Sequence, residues 1–157
     1  TDKAVKLFEK FGIFTKAELE SREEVLYEIY AKTINIEALT MVDMASKEII
    51  PAVIKYSKSL ADSVLAVKEA GADAEVQTEL LKEVSAKLTE MKTALAKLEE
   101  VEAKAAAMEN AKDQAFYYKD VVKAAMDALR KPADELEMIV DKKVWPFPTY
   151  ADLMFEV

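Results

Sequence analysis

The chain lacks two residue types on which catalysis and metal binding most often depend. It contains no cysteine and no histidine. Without cysteine there are no disulfides and no thiolate metal ligands. Without histidine the commonest general base and the commonest transition-metal ligand are missing. Only two residues are arginine, Arg22 and Arg130, which argues against a site that reads phosphate groups. We therefore expect no catalytic, cofactor-binding or metal-binding residue in this chain.

Helix-breaking residues are also scarce. The 157 residues include only two glycines, Gly12 and Gly71, and four prolines. Because turns depend on such residues, the chain should form few elements, each of them long. Apolar residues make up 52% of the sequence, and strong helix formers such as Ala, Leu, Glu and Lys fill the intervals. The composition predicts an all-α fold: an antiparallel bundle of about three to four long helices, with a short N-terminal helix and an extended Trp/Pro-rich C-terminal tail.

Negative charge predominates but is not concentrated. The net charge of −8 comes from 30 acidic and 22 basic residues spread along the sequence. Binding to nucleic acid or to an anionic membrane needs clustered Lys and Arg, so we expect neither partner. No uncharged run approaches the ~18 residues of a membrane span. The first residues, Thr1 to Lys3, are polar and lack an apolar signal core, so we expect a cytoplasmic location.

The first half of the chain predicts one short and one long helix. Residues 1–14 should form a short helix and an apolar bend. Thr15 and Glu18 have the spacing of a capping box, in which each side chain satisfies a free backbone N–H at a helix start. A long helix should then cover residues 15–70, with a kink near Pro51, because proline lacks the backbone donor and clashes with the preceding turn. Its apolar stripe has one slip in periodicity; the positions are Leu26, Ile29, Tyr30, Ile34, Ile36 and Leu39.

The second half predicts two further helices and a tail. Apolar residues in 74–109 recur at steps of three and four, a heptad seam that favours a helix packed antiparallel on its predecessor. The seam consists of Leu81, Val84, Leu88, Met91, Leu95 and Leu98, and the next position is occupied by Glu102. Residues 111–141 predict a helix interrupted near Pro132. Residues 142–157 form a docking tail, because residues that precede proline favour extended geometry; Thr149 can cap one last helical turn.

The tail is the best candidate for a functional contact. Its apolar side chains would expose a large area if nothing covered them, and its two prolines lower the cost of ordering it on docking. The candidate interface residues are Trp145, Phe147, Tyr150, Leu153 and Phe155. The tail could dock on its own bundle or on another domain or subunit, and the sequence leaves both alternatives open.

Acidic residues offer no comparable site. Two groups stand out: Glu18, Glu20, Glu23 and Glu24, and then Glu99, Glu100 and Glu102. A dimetal carboxylate bundle also needs Glu-x-x-His pairs, which this chain cannot supply, so solvated helix faces are the better interpretation. Glu37 sits within an apolar stretch, and we expect it to make a buried polar contact between helices. The alternative is a role in assembly or in positioning a neighbouring domain.

Two blocks of the sequence resemble a known family. The first runs from Phe11 to Met44, with YAKTINIEALTM at 30–41 in its centre and IIPAV at 49–53 after it. The second is WPFPTYADLMF at 145–155. Both resemble the C-terminal part of type III glutamine synthetases, although the family usually has glycine where Ala151 stands. The heptad region between the blocks is only generically similar.

The resemblance implies a role within a larger enzyme. Type III glutamine synthetases are large cytoplasmic bacterial enzymes that join ammonia to glutamate with ATP and divalent Mg or Mn, and they form ring-based homo-oligomers. The resemblance implies that the catalytic barrel precedes Thr1, and no catalytic or ligand residue of the family can be carried over. It implies a non-catalytic C-terminal helical domain that supports the catalytic domain of the same polypeptide and its assembly with other subunits. By itself, this chain should be inactive.

Two alternatives come from other functional classes. A stand-alone helical-bundle or coiled-coil interaction module would use its heptad seam to bind a partner helix. A carboxylate-ligated metal protein is the weaker alternative, because oxygen ligands alone would have to hold the ion.

Overall fold

A computed structural model describes residues 1–148 and 150–155, without the side chains of Tyr150 and Ala151. Seven α-helices lie within these ranges: α1 (Asp2–Lys10), α2 (Lys16–Met44), α3 (Ile50–Glu69), α4 (Glu75–Ala106), α5 (Ala111–Tyr117), α6 (Lys123–Glu137) and α7 (Tyr150–Phe155). One π-helical turn, Ala45–Ile49, joins α2 to α3, and a second, Tyr118–Val122, joins α5 to α6. The predicted all-α class is confirmed. None of the helices in the described ranges is long and apolar enough to cross a membrane.

The predicted capping box begins α2. The Thr15 backbone N–H donates to Glu18 Oε2 at 2.7 Å, and the Glu18 N–H donates to Thr15 Oγ1 at 3.3 Å. Gly12 precedes it with φ +61, a left-handed conformation that glycine adopts without strain. The backbone N–H and the hydroxyl of Thr15 both donate to the Glu18 carboxylate, and these two bonds, together with the nearby charge of Arg22, hold the pKa of Glu18 below its usual value. The capping box therefore fixes where the long helix starts.

The helix departs from α geometry just before Pro51. The N–H of Ile50 donates to the carbonyl oxygen of Ala45, five residues back rather than four. Proline has no N–H to donate, and its ring clashes with the carbonyl four residues earlier. A wider π turn directly before it relieves that conflict while the chain stays helical. The chain is therefore helical from Lys16 to Glu69, with the irregularity at the π turn.

The predicted interruption of the helix near Pro132 is wrong. Helix α6 runs through Pro132 and ends at Glu137. Instead, the departure from α geometry lies upstream, where the N–H of Lys123 donates to Tyr118 O across the second π turn. Pro132 is itself buried in the bundle, and packing compensates for the one hydrogen bond that it removes.

Helix α4 is the central element of the bundle. It packs antiparallel on α3 after the turn at Gly71, which has φ +80, and it also packs against α6. Its buried residues are Val84, Met91, Leu95, Leu98, Val101 and Ala105. Four of the six predicted seam positions are thus buried, while Leu81 and Leu88 are half-buried. The buried face continues past Leu98 through Val101 and Ala105, because the stripe follows the 3.6-residue period of a bundle helix.

Polar contacts join α4 to both of the later helices. In the first half of α4, the Lys87 ammonium lies 2.7 Å from a carboxylate oxygen of Glu135 on α6. Near the end of α4, Gln114 on α5 donates from Nε2 to the carbonyl oxygen of Ala105 at 3.0 Å. Residues 54–83, which are the later part of α3, the turn and the start of α4, form a two-helix arm whose helical residues are half-buried or exposed.

Candidate interaction surfaces

The first part of the tail docks on its own bundle. Trp145 is buried within the main core, and Val144 and Phe147 pack against that core. A turn positions the indole, since the N–H groups of Val144 and Trp145 both donate to the carbonyl oxygen of Asp141, at 2.8 and 3.0 Å. Of the two docking alternatives that the sequence left open, the bundle's own surface is the one that Trp145 and Phe147 occupy.

The second part of the tail is exposed. Helix α7 is tied to the turn by an ion pair between Lys142 and Asp152. Its apolar residues Leu153 and Phe155 are 70% and 78% exposed. The side chain of Tyr150 lies outside the described residues, as does the predicted cap Thr149. Whether the five predicted residues form an interface stays a prediction.

A cavity of about 650 Å³ lies between the end of α2, the first π turn, α6 and the tail. Apolar side chains line most of it: Met41, Met44, Ala45, Ile49, Met91, Leu129, Ala133, Met138, Trp145, Phe147, Pro148 and Leu153. Arg130, Asp134 and Glu137 lie among the lining residues, with Arg130 Nε 3.2 Å from a carboxylate oxygen of Asp134. Methionines fill space flexibly, so such a lining suits apolar groups of varied shape. Its wall also contains Trp145, the only tryptophan in the chain.

Sequence reasoning missed a second apolar face on α2. The bundle-facing side of the helix buries Ala31, Ile34 and Ala38. Exposed apolar residues form what we call the outer face: Val25, Leu26, Ile29, Ile36 and Leu39. Successive helix residues differ by about 100°, which places Ile29 and Ile36 roughly opposite Ala38. The slip in periodicity near Ile36 was the signal, because one apolar stripe cannot account for both sets.

The bend before α2 extends the outer face toward α1. The rings of Phe8 and Phe14 lie 5.8 Å apart, and the Arg22 guanidinium lies 4.5 Å from the Phe14 ring centroid. Arg22 is seven residues before Ile29, about two helical turns, so both lie on the same side of α2. Three further apolar residues of this region are exposed: Leu7, Phe11 and Ile13. Exposed apolar side chains therefore recur along the sequence from Leu7 in α1 to Leu39 in α2.

The acidic residues form no binding site of their own in the part of the chain that the structure describes. The expected buried contact of Glu37 is wrong, because this residue is exposed on α2. Lys97 and Lys104 both bind the Glu100 carboxylate, and their ammonium groups lower its pKa to about 2. No group of three or more Asp or Glu side chains in the described ranges is arranged to hold a metal ion. The Glu100 carboxylate thus serves ion pairs on the helix surface.

Comparison with known proteins gives the chain a family context. Residues 1–68, which include α1 and the outer face, match the family described as glutamine synthetase C-terminal domain. A glutamine synthetase of Butyrivibrio fibrisolvens is 38% identical across 100% of this chain, which covers 23% of that relative. One from Bacteroides fragilis is 32% identical across 91% of the chain, which covers 20% of it. A type-3 glutamine synthetase of Dictyostelium discoideum is 32% identical across 99% of the chain, which covers 22% of it. The chain therefore spans less than a quarter of these relatives.

Proposed function

We propose that this chain is the C-terminal helical region of a type III glutamine synthetase, and that it holds and supports the catalytic part of such an enzyme without carrying out chemistry itself. The parent polypeptide would be a cytoplasmic, homo-oligomeric ligase that forms glutamine from glutamate and ammonia with ATP and Mg or Mn. The Dictyostelium relative means that a bacterial origin does not follow from the family alone. The observation that carries the proposal is the outer face of α2.

The outer face supports docking on the preceding part of the polypeptide. A helix whose opposite sides are both apolar is suited to lie between two bodies, here the bundle and a partner. Burying each large apolar side chain contributes about 1.5–3 kcal/mol, and the outer face has five. More than three quarters of each relative lies outside the aligned region, so the same polypeptide supplies ample surface to cover it.

The residues that the structure describes offer no arrangement suited to ATP or a divalent ion. The described carboxylates form no group that could hold a metal ion. Of the two arginines, Arg22 stacks on Phe14 and Arg130 pairs with Asp134, and they lie on different helices. Both groups would therefore be bound by the remainder of the parent enzyme, and we assign no catalytic step to this chain.

The outer face can be tested in the full-length polypeptide. The double substitution Ile29→Glu and Ile36→Glu would place two negative charges in the proposed contact. We expect lower glutamine-forming activity and a lower unfolding temperature for the full-length enzyme, while the isolated 157-residue chain keeps its helical content. The matched control is Val76→Glu, since Val76 is 74% exposed on the two-helix arm. Full-length Ile29→Glu/Ile36→Glu enzyme that behaves like the Val76→Glu control would refute the proposal.

A further inference from the structure

The turn between α1 and α2, which we call the elbow (residues 8–16), is closed by hydrogen bonds on both of its sides. On the α1 side, the N–H of Gly12 donates to the carbonyl oxygen of Glu9 at 3.0 Å. The N–H of Ile13 donates to the carbonyl oxygen of Phe8, also at 3.0 Å. This pair of bonds is a Schellman motif, which depends on the left-handed conformation that Gly12 adopts at φ +61. On the α2 side, the capping box satisfies free N–H groups at the helix start.

Side chains also join the two helices across the elbow. The backbone N–H of Lys16, in the first turn of α2, donates to Glu9 Oε1 on α1 at 3.2 Å. The Phe8 ring of α1 lies 5.8 Å from the Phe14 ring, and the Arg22 guanidinium of α2 lies 4.5 Å from the Phe14 ring centroid. Backbone hydrogen bonds, a side-chain hydrogen bond and ring contacts therefore all hold α1 in one direction relative to α2.

Burial does not account for this fixed direction. All nine residues of α1 are described, and none of them is buried against the described part of the chain. Leu7, Phe11 and Ile13 are 55%, 67% and 55% exposed. A short helix that buries little of its own surface is marginal, because ordering its backbone costs conformational entropy. A direction held so firmly without a matching gain in burial indicates that the direction itself has a role.

We propose that the elbow sets the position of the catalytic part relative to the helical region, with Gly12 and Glu9 as positioning residues. The inference rests on the proposed function, in which the catalytic part precedes Thr1 in the same polypeptide. The outer face would hold the two parts together, and the elbow would decide the angle at which they meet. A nine-residue helix is about 13 Å long, so turning α1 by about 20° would move its start by roughly 4–5 Å. Displacements of about 1 Å at the reacting groups can slow an enzyme about 100-fold.

Gly12 can be replaced without a steric clash, which isolates the effect of the backbone. A Cβ built at Gly12 would have no heavy atom within 4 Å in the described structure, apart from its chain neighbours, and the same holds for Gly71. Gly71 also has a left-handed backbone, with φ +80 at the tip of the two-helix arm, so Gly71→Ala is a matched control. Substitution at either position penalises only the left-handed conformation.

The activity of the full-length enzyme should follow the tolerance of each residue for that conformation. Asparagine adopts it most readily and β-branched valine least, so kcat should fall in the order Gly12→Asn, Gly12→Ala, Gly12→Val. We expect kcat to be at least about fivefold lower for Gly12→Ala. Gly12→Asn and Gly71→Ala should both stay close to wild type.

The direction of α1 can be measured directly, because the chain contains no cysteine that would compete for a label. Spin labels at Lys3→Cys and Lys32→Cys, on exposed positions of α1 and α2, report the distance between the two helices by pulsed electron paramagnetic resonance. We expect a narrow distance distribution for the otherwise unsubstituted 157-residue chain and for Gly71→Ala. Gly12→Ala should broaden or shift the distribution.

A second pair of variants tests the elbow without changing the glycine. Glu9→Ala removes the acceptor of the Lys16 N–H and should change the distance distribution and kcat in the same direction as Gly12→Ala, whereas Lys6→Ala, at an exposed position of α1, should change neither. Circular dichroism checks that the bundle stays helical in each variant. A broad distribution in the unsubstituted chain, an unchanged distribution in Gly12→Ala, or a Gly12→Ala enzyme with the kcat of the Gly71→Ala control would overturn the proposal. None of these results bears on the outer-face test, so the proposed function is judged separately.

Discussion

Removing the hydroxyl group of Tyr118 should stabilise the protein, contrary to the usual effect of altering the core. Tyr118 is only 1% exposed and is packed in the main core cluster beside Val122. Its hydroxyl oxygen has no hydrogen-bond partner among the described residues. Burial raises the pKa of this phenol, with a smaller contribution from the Glu102 carboxylate, so the group stays neutral at pH 7. The group left unpaired is therefore a neutral hydroxyl and not a charge.

The size of the effect follows from the cost of an unpaired polar group. Leaving a buried hydroxyl without a partner costs about 1–3 kcal/mol. Phenylalanine keeps the ring and its packing and removes only that oxygen, so the free energy of unfolding of Tyr118→Phe should rise by about 1 kcal/mol or more. For a domain of this length such a gain raises the unfolding temperature by about 2–4 °C. Thermal and urea unfolding of the isolated chain measure both quantities.

A control and a pH series sharpen this prediction. The hydroxyl of Tyr27 donates to Glu23 at 2.9 Å on the surface, so Tyr27→Phe should be neutral or slightly destabilising. Because the folded-state pKa of Tyr118 is raised, the unfolded chain releases this proton first as the pH rises above about 10, and wild-type stability falls there. The advantage of Tyr118→Phe should therefore widen above pH 10. A variant less stable than wild type at pH 7 would refute the reasoning and indicate that the hydroxyl is satisfied.

Three further predictions concern the core, the helix start and the surface charges. Leu95→Ala should lower the free energy of unfolding by about 2–5 kcal/mol in urea, since Leu95 is fully buried at the centre of α4; a loss below 1 kcal/mol would contradict its central position. Thr15→Ala should cost about 1 kcal/mol by removing the cap of α2, with faster amide exchange in its first turn as the check; unchanged exchange there would count against the capping box. Lys97 and Lys104 lower the pKa of Glu100 to about 2, so the stabilisation is present above the unfolded-state value near 4.5 and is lost as the pH falls toward 2. Glu100→Gln should flatten the stability profile in that window, and an equally steep acid transition would show that the two ion pairs add nothing.

Local signals in the sequence determined much of the fold. The shortage of Gly and Pro and the abundance of helix formers were enough for the all-α class, because these preferences act on the backbone without reference to the rest of the chain. The capping box at Thr15 was predictable for the same reason, since its hydrogen bonds span only three residues. The heptad spacing indicated the buried side of α4, because periodicity alone places residues on one helix face.

Tertiary structure decided what those helices bury and what they leave uncovered. The sequence could not show that Ile29 and Ile36 face away from the bundle. The apolar pattern in the sequence is the same whether a residue is covered by its own domain or by another. Nor could it divide the tail into a docked part at Trp145 and an exposed part at Phe155. Pro132 remains within a helix because neighbouring side chains offset the hydrogen bond it removes. Each of these outcomes depends on contacts between residues far apart in the chain, and a local pattern does not contain them.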